Sequence, residues 1–198
     1  MEKICKTKPY TLFSFNRKQG FTLIETMVAI AVVAVLAAIA VPRMDTFLVK
    51  MRVDNEISEI QRLLLTARNM AINTGKNTTV CPLSSGACTN NWKNKISVFT
   101  NGANTLATNN TFAVPDELVK IKEGIKSGDL LQYAQNSVIF APDGRLLTAS
   151  ASFRYCPKDN TDYSRGITLS TSGRSYTSTD TDNDGKDEDR NGVEFVCI

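Results

Sequence analysis

Near its C-terminus the chain reads DTDNDGKDEDRNG, and the oxygen-bearing side chains in this stretch fall at regular intervals. Asp180, Asp182 and Asp184 alternate, Gly185 and Lys186 follow, and Glu188 and Asn191 come after them. Counted from Asp180, these residues take loop positions 1, 3, 5, 6, 7, 9 and 12. A tight loop wraps a hard cation with that spacing, and the glycine permits the sharp turn. The chemistry it predicts is calcium binding. Two departures set it apart from an EF-hand: Asn191 stands where a bidentate glutamate belongs, and VEFVCI beyond it reads as a strand, not an exiting helix. The expectation is a calcium loop of another class, with weak to moderate affinity suited to extracellular calcium. A solvated acidic hairpin loop is the plain alternative, although so many acids so close repel one another without a counter-ion.

A second ionisable group stands out by its surroundings. Phe21 to Val41 is an apolar run with one charge, Glu25, near its start. The run is about long enough to cross a bilayer as a helix, where a lone acid costs several kcal/mol. Lys3, Lys6, Lys8, Arg17 and Lys18 precede it against Glu2 alone, which predicts a cytoplasmic N-terminus by the positive-inside bias. Two plainer accounts compete. Glu25 could snorkel to the headgroups, since it lies about one turn from the end. The run could also be an ordinary signal peptide, cleaved near AAIA before Val41.

The third set is the cysteines. Cys5 lies in the basic N-terminal segment, which leaves Cys81, Cys88, Cys156 and Cys197 in the body. An even number in an exported domain reads as two disulfides, with three possible connectivities. Cys81–Cys88, a short local loop, and Cys156–Cys197, tying the C-terminus to an earlier strand, are the favoured pairs. A four-thiolate zinc site is disfavoured because no C-x-x-C pair is present. Histidine is absent from the whole chain. That removes Ser/His and Cys/His nucleophile pairs and the usual imidazole metal ligands. That closes the cheapest routes to an enzyme without ruling one out, and the favoured reading is non-enzymatic.

These groups need elements to position them. Val53, Ile57, Ile60, Leu64, Ala67 and Ala71 recur at helical spacing, and Arg52, Asp54, Glu56, Glu59 and Arg62 take the other sides. This is one face of an amphipathic helix, read as core, and NTG at 73–75 supplies its stop. Pro42 is expected to kink or interrupt the helix without necessarily ending it. Beyond Gly75, short runs (TTVCPL, ISVFT, LVKIK, SVIFA, ASFRYC, GITLS and VEFVC) alternate with turn signals such as TNGAN, PDGR and TSGR. They read as antiparallel strands. The expected class is α+β: a helix of some fifty residues, half in lipid and half packed on a small antiparallel sheet. The boundaries that follow are a leader at 1–20, a membrane helix at 21–41, an amphipathic helix at 42–74 and a β-rich head at 75–198. The 198 residues hold 23 basic and 20 acidic side chains, and without the leader the body is slightly acidic. Net charge gives no reason to expect a nucleic-acid partner.

KQGFTLIETMVAIAVVAVLAAIAVP resembles the prepilin signature of type IV pilins and type II secretion pseudopilins. Gly20 matches the cleavage position, Phe21 the new N-terminus, Glu25 the fifth mature residue and Pro42 the twenty-second. The 20-residue leader is longer than the short leaders common there. The resemblance implies that a prepilin peptidase cuts after Gly20 and methylates the amine of Phe21. Glu25 would then meet that amine, or a neighbour's, within the membrane, and act as a registry device for assembly. The remainder is similar to the GspH/FimT/FimU group of minor pilins and pseudopilins. The resemblance is carried by Arg68-Asn69, TTVCPLSSGACTNNWKNKISVFTNGAN with Trp92 and Phe99, VIFAPDGRL, FRYC and SRGITLSTSGR. Trp92 and Phe99 themselves are read as core aromatics. It implies a low-copy subunit of the inner membrane with a periplasmic head, later part of a filament, whose partners are other minor and major pilins. Three roles compete: pilus initiation or capping, a type II secretion pseudopilus, and DNA capture. DNA-capturing members are similar in carrying a Gly-Arg-x-Arg element. Here Gly173 and Arg174 match and Tyr176 replaces the second arginine, with Arg145, Arg154, Lys158 and Arg165 as further cations. The alternative for Gly173-Arg174 is a hairpin turn with a solvated arginine.

Overall fold

A computed structural model describes residues 20–102, 109–158 and 160–197. The chain forms two compact units, residues 1–43 and 44–198. The basic leader and Cys5 lie outside the described residues, as does part of the TNGAN turn.

Helix α1 runs from Leu23 to Thr74, 52 residues, and Pro42 does not end it. In the first unit its stretch Leu23–Val41 is long and apolar enough to cross a membrane, and none of it is buried by protein. Phe21, just ahead of it, is 82% exposed. Apolar side chains left uncovered over such a length mark a surface meant for lipid or for other helices.

In the second unit the helical stripe is covered. Val53, Ile57, Ile60, Leu64, Ala67 and Ala71 are all buried, joined by Leu63. Their spacing of three and four residues places them on one side of α1. The helix stops at Gly75, whose φ of 65° is the left-handed conformation that favours glycine. Its N–H donates to the Ala71 carbonyl at 3.0 Å.

Among the described residues nine strands follow: β1 (Thr78–Ser84), β2 (Ala87–Cys88), β3 (Ile96–Thr100), β4 (Glu117–Lys122), β5 (Leu130–Gln132), β6 (Val138–Phe140), β7 (Ser152–Cys156), β8 (Arg165–Leu169) and β9 (Ser175–Thr177). They build two antiparallel sheets where the sequence suggested one. The first has the order β2-β1-β3-β4, with β6 also paired to β1; the second has the order β5-β7-β8-β9. One apolar cluster joins the helix stripe to residues of both sheets. Trp92 is buried in it, edge-on to Tyr133 and Phe153 with ring centroids 5.2 and 5.0 Å away. Its Nε1–H donates to the Gln135 carbonyl at 2.9 Å. Phe99 is buried as well. Both aromatics are core, as the sequence suggested.

One expected strand is absent and three strands were not expected. VEFVC is not a strand: only Glu194 pairs there, in an isolated bridge to Glu188. Val193 and Val196 stay exposed, while Phe195 is buried over Gly166, where a Cβ would meet its ring at 2.1 Å. One aromatic anchor and a disulfide hold this segment, and neither needs a hydrogen-bonded ladder. Strands β2, β5 and β9 are two or three residues long, too short to carry a periodicity.

Ionic contacts tie α1 to the sheets within this unit. Asp129, 3% exposed, receives Arg52 at 2.9 Å, the Tyr155 hydroxyl and the Lys158 N–H. Lys122, at the end of β4, buries its ammonium between Glu56 at 2.6 Å and Glu59 at 3.6 Å. Buried charges persist only when partnered, and each of these meets an opposite charge or hydrogen-bond donors.

Candidate functional site

The N-terminal junction is the first site. Gly20 is exposed, and a Cβ added there would meet nothing within 4 Å. Packing in the chain itself therefore does not require glycine at that position. Phe21 and Thr22 precede the helix, which begins at Leu23. The Thr22 hydroxyl accepts the N–H of Glu25 at 3.3 Å, and the Glu25 carboxylate accepts the N–H of Thr22 at 3.4 Å. This reciprocal arrangement is a capping box, which satisfies two backbone donors that a helix start leaves open. The T-x-x-E spacing of residues 22–25 could have revealed it, and the sequence reading passed over it. The carboxylate of Glu25 thus sits one residue from the Phe21 amine that cleavage after Gly20 would create.

The cysteines of the body are joined as two disulfides. Cys81 pairs with Cys88 across the β1–β2 hairpin, and Cys156 at the end of β7 pairs with Cys197. The Ser164 hydroxyl lies 2.7 Å from the Cys197 sulfur.

The acidic stretch folds as a loop after β9, with its two sides bridged at Thr179 and Glu188. Asp180, Asp182, Asp184 and Glu188 each bring a carboxylate oxygen to within 4.8 Å of the others. The turn is built by backbone donors. Asp180 accepts the N–H of Asn183 at 2.7 Å and of Gly185 at 3.0 Å. Asp182 accepts the N–H of Asp184, and Asp184 that of Lys186. Gly185, at a φ of 92°, supplies the conformation that the sixth position demands. The side chains of the other two residues of the expected ligand set have other partners. The Asn191 amide donates to Asp189 at 3.3 Å. The Lys186 ammonium reaches Glu194 at 3.1 Å and Asp184 at 3.9 Å, and these carboxylates raise its pKa. Thr181, absent from the sequence reading, donates both its N–H and its hydroxyl to Glu188 Oε2.

The basic residues differ in their partners. Arg165 is held by Asp54 on α1 and by Asp187 at 3.3 Å. Arg145 pairs with Asp143 at 2.7 Å, beside a tight turn whose backbone and guanidinium hold the Asp143 carboxyl below its usual range. Arg174 is exposed next to Gly173, a turn residue with a φ of 75°. A Cβ at Gly173 would meet the Gly144 carbonyl oxygen at 2.0 Å. Close approach therefore explains the glycine of the Gly-Arg pair without a ligand.

Comparison with known proteins bears on both parts of the chain. The family model described as type II transport protein GspH matches residues 56–173. The prokaryotic N-terminal methylation motif matches residues 15–41. A fimbrial protein of Pseudomonas aeruginosa is 41% identical over 59 residues, which is 30% of this chain and 38% of that protein. The chain thus spans well under half the length of the curated relative it matches. Two crystal structures of the type IV minor pilin FimU of Pseudomonas aeruginosa strain PAO1 are similar in fold, each at 18% identity over 64% of this chain. Their TM-scores are 0.51 and 0.50, and the likeness covers 88% and 92% of those chains.

Proposed function

The chain belongs to the GspH family of pilin-like subunits, and from that premise we propose that it is a minor pilin that helps to initiate or cap a type IV pilus. The observation that carries this reading is the junction Gly20–Phe21 with Glu25 one helical turn on, at the head of an uncovered apolar helix. A prepilin peptidase removes residues 1–20 and methylates the new amine. Residues 21–41 hold the subunit in the inner membrane, residues 42–74 continue into the head, and residues 75–198 lie in the periplasm. On assembly the helices of other minor and major pilins cover the apolar surface. The carboxylate of Glu25 then meets the amine of a neighbouring Phe21, so that two charges costly alone are tolerated together.

The family description itself favours a second reading, a minor pseudopilin of a type II secretion system. Both readings share the membrane helix, the cleavage and the Glu25 contact, and differ in the filament that is joined. DNA capture has less support, because Arg165 is committed to two carboxylates of its own chain.

Mass spectrometry of the processed protein, expressed with a prepilin peptidase, tests the common core. The expected mature chain starts at N-methylated Phe21. A start beyond residue 40 overturns the reading in favour of an ordinary signal peptide. Deletion of the gene, scored for surface pili and for secreted protein in parallel, separates the two filaments.

A further inference from the structure

The acids of the C-terminal segment fall into two sets. Asp187 has Arg165 at 3.3 Å and the Ser178 hydroxyl at 2.7 Å. Glu194 has Lys186 at 3.1 Å, and Asp189 accepts the N–H groups of Asn191 and Val193 across a turn that lowers its pKa. The second set is Asp180, Asp182, Asp184 and Glu188, which converge within 4.8 Å on one another. Their partners are backbone N–H groups, Thr181 and, for Asp184, the far edge of Lys186 at 3.9 Å. That ammonium lies nearer to Glu194. Four carboxylates so close repel one another strongly unless a cation stands among them.

Glu188 supplies an observation of a different kind. It is 4% exposed, yet its Oε1 is buried without a hydrogen-bond partner among the described residues. Its other oxygen is fully used by Thr181. A buried carboxylate oxygen left bare costs more than the net worth of an ordinary hydrogen bond. Such an oxygen, in a group that already contributes to a carboxylate cluster, is what a bound metal ion satisfies.

We propose that Asp180, Asp182, Asp184 and Glu188 bind one calcium ion, which ties the C-terminal loop to the bridge between Thr179 and Glu188. The donors are all oxygen, which suits a hard cation and disfavours zinc or copper. Each aspartate keeps lone pairs beyond those its backbone contacts occupy. Four carboxylates leave room in a shell of six to eight oxygens for backbone carbonyls and water. An exposed, flexible loop suits calcium better than magnesium, which demands strict octahedral geometry and holds its water tightly. The site does not involve the membrane helix and does not depend on which filament the subunit joins.

The test is calorimetric titration of the chelator-treated full chain in detergent micelles with calcium chloride, and with magnesium chloride in parallel. Thermal melting of the same samples gives a second readout. The expected result is one saturable calcium site with a dissociation constant of about 0.1–1 mM, in the range of extracellular modules, and a rise in Tm. Magnesium at equal concentration gives a smaller shift. Asp182→Asn, a change at an exposed position, weakens calcium binding about tenfold or more (~1.4 kcal/mol), while the metal-free Tm does not fall because one carboxylate fewer repels the others. Glu188→Gln weakens it further. The proposal is overturned if calcium at about 10 mM produces neither saturable heat nor a Tm shift, well above that range. It is equally overturned if Asp182→Asn binds calcium as the parent does.

Discussion

Glu25 and Thr22 hold each other across the first turn of α1: each accepts the other's backbone N–H, at 3.4 and 3.3 Å. The same carboxylate therefore has a local duty in starting the helix and, in the assembly proposed above, a second duty toward a neighbour's amine. The two are separable, because a neutral amide retains the oxygen that caps and loses the charge that pairs.

Glu25→Gln should leave the monomer stable in the membrane yet largely exclude it from sheared filaments, as judged by immunoblotting. Glu25→Ala should lose the cap as well, at a cost of about 1 kcal/mol in helix stability. Normal incorporation of either variant would sink the charge-pairing account.

Arg165 and Arg174 both looked like cations available to phosphate, and the structure separates them. Arg165→Ala removes the partner of Asp54 and of the buried Asp187, so Tm should fall. Because Arg165 itself is part-exposed, the loss should stay near 1–2 kcal/mol. Arg174→Ala, at an exposed turn position, should stay within about 0.5 kcal/mol of the parent. A gel shift of DNA that vanishes on Arg174→Ala alone would revive the DNA-capturing reading.

The two disulfides close loops of unequal length. Cys81 and Cys88 are separated by 7 positions, Cys156 and Cys197 by 41. Chain entropy grows with the logarithm of loop size, so losing the second pair should destabilise by about 1.5 kcal/mol more than losing the first. Paired cysteine-to-serine variants compared by urea melts check the order. A larger loss from the Cys81–Cys88 pair would show that the hairpin's packing, not loop closure, dominates.

Burial pushes the Tyr133 hydroxyl from its ordinary 10.0 up to about 12. Tyr155 is raised further, first by burial and then by its bond to Asp129. The unfolded chain gives up these protons near pH 10 while the folded chain keeps them. Their contribution is thus fully present below pH 10 and falls as pH climbs through 10 to 12, by at most about 1.4 kcal/mol per unit for each tyrosine. Urea midpoints at pH 8 and pH 11 should differ accordingly. Tyr133→Phe should reduce that difference.

Much of this molecule is written in short-range pattern. The apolar run with its single acid, the stripe from Val53 to Ala71 and the glycine stop at Gly75 are periodic over many residues. Their physics is local: backbone geometry converts spacing into a face, and length into a membrane span. The sequence by itself also placed Asp180, Asp182 and Asp184 in one tight loop, because a turn brings residues two apart together, while the Glu188–Thr181 contact came only with the fold. Partners drawn from distant positions were decided by the tertiary structure alone. Lys122 ends the strand-like run LVKIK, and it is buried because α1 presents Glu56 and Glu59 to it. Arg165 reads as a free cation, yet Asp54, more than a hundred residues earlier, claims it. VEFVC has the composition of a strand, but a strand needs a continuous partner edge, and here the backbone meets the chain only around one isolated bridge while Phe195 and Cys197 anchor the segment through side chains. Charge pairing and strand pairing are relations between remote segments, so they come into being only when the chain has closed on itself.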